Sequence, residues 1–312
     1  MSRLKTSVAA WLETPEDKTI LDGMYPKAVP EIFQFRPRLV QSHTKGKFYL
    51  RVKMLAWLFL FLASPALASD NFKCTHPPYR VHKVSSSPLI LYLDNFITPQ
   101  ERTHLKEVSA PRFRRSVIAG QDGAQKSSLR TSQSTDIPRD AVVQCIEQRA
   151  LDFQGFDTRS AQLEPLQLVR YTAGEHYDFH TDWLSDPRYV TSFNGGNRLS
   201  SFFVYVYVSD NTTGGGTNFP HVSPPNPKSE RWCRFVDCDE PYARGTTFRP
   251  VEGNAIFWEN LLGRRGEKRQ GDGRTEHAGL PLTTGHKIGL NIWTRQAGVS
   301  EAVRREGGPL DF

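Results

Sequence analysis

Residues 199–208 read LSSFFVYVYV, and from Phe202 onward every position is apolar or aromatic. A strand with one wet face alternates apolar and polar residues, so one that is apolar on both faces is covered on both, as a central strand is. Outward from it lie other short β-rich segments separated by turn residues: 166–171, 246–249, 254–258 and 286–294, with PLILYLDNF at 88–96 as a first strand. Several short strands at fairly even spacing predict an antiparallel sandwich or barrel. Two helices precede the strand-rich half. Thr98-Pro99-Gln100-Glu101 has a Thr cap, Pro at the first helical position and an acid in the first turn. Residues 140–153 place Val142, Val143, Ile146 and Ala150 on one helical face. The Ser/Gly/Gln-rich stretch 121–135 reads as a loop, and GRRGEKRQGDGR at 263–274 as a charged, mobile one. The economical reading is one mainly β domain over 85–297, buttressed by N-terminal helices, with a linker at 69–84 and a tail at 298–312.

The chain has 312 residues, 38% hydrophobic and 23% charged, which excludes global disorder and a fibrous repeat. Its net charge of +7 invites a nucleic-acid partner, but residues 1–53 hold ten Lys/Arg against five Asp/Glu and so carry +5 of it. Only +2 remains on 69–312, too little for a basic stripe, so no nucleic-acid partner is expected. Residues 54–68, MLAWLFLFLASPALA, are uncharged, preceded by Lys45, Lys47, Arg51 and Lys53, and closed by Ala66-Leu67-Ala68. That is the layout of a secretory signal peptide. Fifteen residues containing Pro65 are short for a membrane span of about 20. An uncleaved anchor, which would bring the membrane in as a partner, and a buried helix are the other readings. A signal at residue 54 suggests that translation starts at Met54 and that 1–53 is an extension which is not translated. The sequon Asn211-Thr212-Thr213 agrees with secretory entry. Cys233 and Cys238 suit a small disulfide loop in an oxidising lumen better than a zinc site, since no further ligands accompany them. Cys74 and Cys145 are left either paired or free. The endoplasmic reticulum lumen, or its membrane facing the lumen, is the expected location.

His180-Thr181-Asp182 carries the chemistry. In extended chain, residues two apart face the same way, so imidazole and carboxylate converge. His277, just before the last strand pair, offers a third ligand. Two His and one carboxylate on one face of a metal leave three positions open, the arrangement of non-haem Fe(II) oxygenases. Around them, Tyr171, Gly174 and Tyr177 precede His180 and Asp182. Downstream come Gly214-Gly215-Gly216-Thr217-Asn218-Phe219-Pro220, Gly253-Asn254-Ala255-Ile256-Phe257-Trp258, His277-Ala278-Gly279, Lys287 and Trp293. In order and spacing, and with Arg130-Thr131-Ser132 upstream, this resembles the catalytic domain of the prolyl 4-hydroxylase alpha subunit family, over about 88–295.

The resemblance implies a double-stranded β-helix, or jelly roll, with Fe(II) at its mouth held by His180, Asp182 and His277. It implies 2-oxoglutarate and O2 as co-substrates, with Lys287 pairing the distal carboxylate of 2-oxoglutarate and Tyr171 and Thr217 donating hydroxyls to it. Tyr177, Arg198 and Trp293 match positions around the substrate residue, although Trp293 could equally plug the barrel; Phe257 and Trp258 read as core. L-ascorbate is implied as an accessory reductant, and a proline-containing protein or peptide as substrate. Departures are Gly216, where an acid is common, a long insert over 223–244 with its Cys pair, and the absence of a separate peptide-binding domain. They leave the substrate open, so an oxygenase of a small metabolite and a catalytically silent barrel used as a scaffold stand beside the prolyl 4-hydroxylase reading.

Overall fold

The computed structural model describes residues 72–120, 123–155, 158–225, 229–239, 244–263, 269–300 and 304. The extension 1–53 and the expected signal 54–68 lie outside the described residues. The first half contains strands β1 (Arg80–Ser86) and β2 (Leu89–Asp94), helix α1 (Pro99–Ser109), short strands β3 (Arg114–Arg115), β4 (Ile118–Gly120) and β5 (Gly123–Gln125), then β6 (Gln133–Asp136) and helix α2 (Ala141–Gln154). The second half runs β7 (Gln167–Thr172), β8 (Tyr177–His180), β9 (Arg198–Val208), β10 (Thr213–Gly214), β11 (Thr217–Phe219), α3 (Glu230–Cys233), β12 (Thr246–Phe248) and β13 (Ala255–Glu259). It closes with β14 (Leu261–Leu262), β15 (Gln270–Gly271), β16 (His277–Gly279), β17 (Leu282–Thr284) and β18 (His286–Arg295).

An eight-stranded antiparallel sheet has the order β1-β2-β13-β9-β18-β7-β6-β3, and a four-stranded sheet the order β12-β11-β16-β8. Strand β9 is central in the first, between β13 and β18, and its two apolar faces have two destinations. Phe202, Val204 and Val206 face the helices, in a core with Leu105, Val142, Val143, Ile146 and Ala150. Phe203 and Tyr205 face the smaller sheet, in a core with Phe219, Phe248 and Trp258. The neighbours divide the same way: Leu91, Leu93 and Phe257 join the helical core, while Ile90, Tyr92 and Ile256 join the inner one. Two sheets face to face, with helices on the outer face of the larger, make the expected jelly roll buttressed by N-terminal helices.

The helix starts follow their caps. Glu101 N–H donates to Thr98 Oγ1 (3.2 Å), and Glu101 Oε2 accepts from Thr98 N–H (2.8 Å), which closes a capping box on α1. Asp140 accepts from the amides of Val142 and Val143 at the start of α2.

Three expectations are corrected. The loop at 121–135 contains β5 and ends in β6, a strand whose sequence Gln-Ser-Thr-Asp carries no apolar signal because it is only half-buried near the sheet edge. The linker at 69–84 becomes, from Arg80, the edge strand β1, whose mixed sequence is half wet and which bulges at Lys83/Ser85. Gln270-Gly271, inside the charged loop at 263–274, pairs with Leu261-Leu262 to close a hairpin. Both cysteine pairs are bonded: Cys233–Cys238, as expected, and Cys74–Cys145, which the sequence left open. No helix among the described residues is long and apolar enough to cross a membrane.

Candidate active site

Strands β8 and β16 pair antiparallel with His180 opposite His277, so the sheet register sets the two imidazoles side by side, ring centroids 4.3 Å apart. Asp182 follows two residues after His180, just past the end of β8. Its Oδ1 is 3.9 Å from His180 Nε2 and its Oδ2 is 4.0 Å from His277 Nε2. One donor atom from each residue falls within 4.8 Å of the others. Each imidazole is aimed by its far nitrogen: His180 Nδ1 lies 2.7 Å from the Asp178 carbonyl and His277 Nδ1 2.9 Å from the Thr275 carbonyl. Donation of Nδ1–H to those carbonyls leaves the Nε2 lone pairs turned to the carboxylate, as metal-ligating histidines are held. Phe219 stacks on the His277 ring at 5.4 Å and Trp258 meets it edge-on at 4.7 Å.

The charges suit a cation. Burial, with a smaller push from His277, pulls His180 down to about 3, so the imidazole is neutral at pH 7. Burial alone would raise Asp182, but its electrostatic interactions with His277, Arg198 and His180 outweigh that and hold the carboxyl below its ordinary range. The Trp293 indole N–H donates to Asp182 Oδ2 at 3.0 Å. Two imidazole nitrogens and one carboxylate oxygen, converging from one side, are the donor set of a facial Fe(II) site.

Residues 166–295 match the 2OG-Fe(II) oxygenase superfamily. Prolyl 4-hydroxylase 2 of Arabidopsis thaliana is 29% identical over 260 residues, covering 81% of this chain and 82% of that one. The mouse (Mus musculus) prolyl 4-hydroxylase subunit alpha-3 is 30% identical over 225 residues, 71% of this chain but only 36% of the longer subunit. The crystal structure of the viral collagen prolyl hydroxylase of Paramecium Bursaria Chlorella virus-1 in its 2OG complex superposes with a TM-score of 0.46 at 21% identity, covering 65% of this chain and 94% of that one. The chain carries a prolyl 4-hydroxylase-like 2OG-Fe(II) oxygenase domain. It is a 2-oxoglutarate-dependent dioxygenase, and its cofactor and co-substrates are Fe(II), 2-oxoglutarate and O2.

The oxygenase needs a cation for the dianionic co-substrate, and Lys287 fits the need. On β18 it is wholly buried, and its Nζ donates to the carbonyl of Gly215. Gly215 reaches that position with φ of 68°, and a Cβ there would come 2.7 Å from Leu282 Cδ1, so glycine is required. The Lys287 ammonium lies 4.7 Å over the Tyr171 ring and 6.0 Å from the Phe203 ring, and no carboxylate pairs with it among the described residues. Burial pulls it down to about 7. A buried cation without an anion is costly, and a carboxylate arriving from solution relieves that cost. Tyr171 is its cross-strand neighbour on β7, buried and pushed up to about 12 by that burial, so its hydroxyl remains a donor. Thr217 Oγ1 shares a 2.8 Å hydrogen bond with the buried Tyr205 hydroxyl.

Tyr171, Thr217, His180, Asp182 and His277 line one cavity of about 290 Å³, together with Tyr177, Arg198 and Trp293. Lys287 lies behind the wall to which Tyr171 and Phe203 contribute. Tyr177 stacks on His180 with centroids 3.6 Å apart, and the Arg130 guanidinium lies 4.7 Å over its ring. Arg198 is already engaged: Nε and NH2 donate to Glu164 at 2.8 and 2.9 Å, and its guanidinium lies 3.7 Å over the Trp293 ring. Glu164 also accepts from Arg295, and both arginines hold its carboxyl low against the effect of burial. No sequence signal marked Glu164 or Gln167, the latter accepting from Arg130 at 3.0 Å. Both are polar residues flanking or within a strand, and only the fold reveals their charged partners. Trp258 and Phe257 are core, as read, although Trp258 also backs His277.

Proposed function

We propose that this dioxygenase hydroxylates prolyl residues of polypeptides, with Fe(II) held by His180, Asp182 and His277. Lys287 receives the distal carboxylate of 2-oxoglutarate, and Tyr171 and Thr217 supply hydroxyls beside it. The observation that carries this reading is the three-residue cluster standing in one cavity, with a buried lysine behind its wall that meets no carboxylate among the described residues. Together, bound Fe(II) and 2-oxoglutarate supply the oxidising chemistry, in which O2 is consumed, succinate and CO2 are released and one oxygen enters a substrate C–H bond. The chain's own residues bind and orient. Trp293 fixes one oxygen of Asp182, Arg198 faces the other, and Glu164 holds the Arg198 guanidinium in place through two hydrogen bonds. Tyr177, Arg198 and Trp293 form the walls where the substrate residue enters. Names of relatives in plants and animals support proline as the target, and ascorbate is expected as an accessory reductant.

For localisation, the two disulfides support an oxidising compartment. We place the protein in the secretory pathway, in the endoplasmic reticulum lumen or anchored facing it, with 54–68 as the targeting segment ahead of the catalytic domain, which takes in β1 from Arg80.

The test is anaerobic addition of Fe(II) and 2-oxoglutarate to the full chain, then admission of air with and without proline-rich peptides. A metal-to-ligand absorption band, peptide-stimulated succinate and one added oxygen on proline are expected. Succinate release that peptides do not stimulate would favour the metabolite oxygenase, and no binding by folded protein would favour the scaffold.

A further inference from the structure

The cavity of about 290 Å³ lies at the small end of ligand pockets, which run roughly 300–1,000 Å³. It has room for the co-substrate and one substrate side chain, so the remainder of a chain substrate must cross the rim. That rim is apolar to an extent its exposure does not explain. Of the large hydrophobics exposed among the described residues, Leu129 (50%) and Phe179 (48%) both line the cavity. Val117, Ile118 and Leu184, none of them fully buried, line it too. The two exposed side chains are held at one place by backbone. Asp178 N–H donates to the Leu129 carbonyl at 2.7 Å, and Arg130 bridges to Tyr177, so the segment carrying Leu129 runs alongside β8, which carries Phe179. Asp178 is the exposed carboxylate at this mouth.

Resting on the polypeptide reading above, we propose that Leu129 and Phe179, with Ile118, form an apolar shelf that selects a bulky apolar residue adjacent to the target proline. The shelf is continuous with the cavity, so its occupant is the same molecule whose proline enters. An apolar side chain laid across Leu129 and Phe179 removes their surface and its own from water. Glycine offers nothing to bury, and an acidic neighbour meets Asp178. Single-group differences in such apolar contacts are worth roughly tenfold or more in kcat/KM.

The test uses two peptide sets, one varied at the residue before the target proline and one at the residue after it, each with Gly, Asp, Ala, Leu and Phe. Hydroxylation is read by mass. In one set Leu and Phe should exceed Gly and Asp by roughly tenfold or more, through KM. Leu129→Ser and Phe179→Ser should each flatten that ratio, and Phe179→Lys should turn it toward Asp. Because each ratio compares two peptides on one enzyme preparation, a loss of folded protein cancels. Equal rates in both sets, or an unchanged ratio in all three variants, would overturn the shelf while leaving peptide hydroxylation in place. If no peptide in either set is hydroxylated although Fe(II) and 2-oxoglutarate bind, the polypeptide reading fails and the shelf with it.

Discussion

Asp182 depends on its neighbours more than either histidine does, because it lies beyond the end of β8 and has no strand partner to fix it. Its Oδ2 is held by the Trp293 indole. Trp293→Phe keeps an aromatic ring beneath Arg198 while removing the N–H and shrinking the side chain. Hydrogen bonds to ligating groups typically govern about 10–100-fold in metal affinity. Fe(II) affinity should therefore fall about tenfold or more in anaerobic titration while the fold persists. Lys287 yields a prediction in pH. Its folded value of about 7 lies below the ordinary lysine value, so between the two the unfolded chain holds a proton that the native chain has released. The cost of burying the ammonium is fully present below about 7 and is relieved progressively as pH rises from there to the ordinary lysine value. A dianion binds the charged form, so at pH 8 binding of 2-oxoglutarate should draw a proton from solution onto Lys287, and the affinity should fall as pH rises above 7. Calorimetry in two buffers of different ionisation heat checks the uptake. Lys287→Ala should abolish the uptake and raise the 2-oxoglutarate KM about tenfold or more, as expected for a charge-assisted bond of about 1.5–3 kcal/mol.

Among the elements, Glu101 has two tasks: it closes the capping box of α1 and accepts both NH1 and NH2 of the buried Arg149 from α2. Removing one partner of a buried pair leaves the other charge stranded, typically at 3–5 kcal/mol. Arg149→Ala should therefore lose about 3 kcal/mol or more in urea unfolding, and Thr98→Ala, which removes only a cap hydroxyl, about 1 kcal/mol. These elements also mark what was legible in the sequence. The first helix was readable because its cap is local, the second because its apolar positions share one face, and β9 because two covered faces need apolar residues at nearly every position. Strands β1 and β6 were not, since their partly wet faces leave polar sequences whose pairing is decided by neighbours far along the chain. At the site, His180 and Asp182 were visible as a short-range pair. His277 entered as a ligand because it precedes the last strands and fits a family pattern, and the register that sets it opposite His180 is a property of the fold. Glu164 was invisible because its partners, Arg198 and Arg295, are distant in sequence.

At the scale of the molecule, the Cys74–Cys145 bond ties the segment before β1 to helix α2 across 71 residues. Phe72 and Tyr79 of that segment pack on the helical core, and the Thr75 carbonyl accepts from Arg149 NH2 at 2.8 Å. The strap thus covers the same buried ion pair that joins the two helices, on the side of the large sheet away from His180, Asp182 and His277. In the chain-entropy account, closing a loop of this length constrains the unfolded chain by about 4 kcal/mol, and one of five residues, as in Cys233–Cys238, by about 2 kcal/mol. Replacing Cys74 and Cys145 with Ser should lower stability by about 4 kcal/mol, roughly twice the loss for the other pair, read as the shift in urea midpoint at constant slope. Fe(II) and 2-oxoglutarate binding at low denaturant should survive both replacements, because the inner core and β18 stand between the strap and the site. A variant that stays folded yet loses iron would mean that the helical layer positions β8 and β16 through the sheet, and that the buttress belongs to the catalytic apparatus.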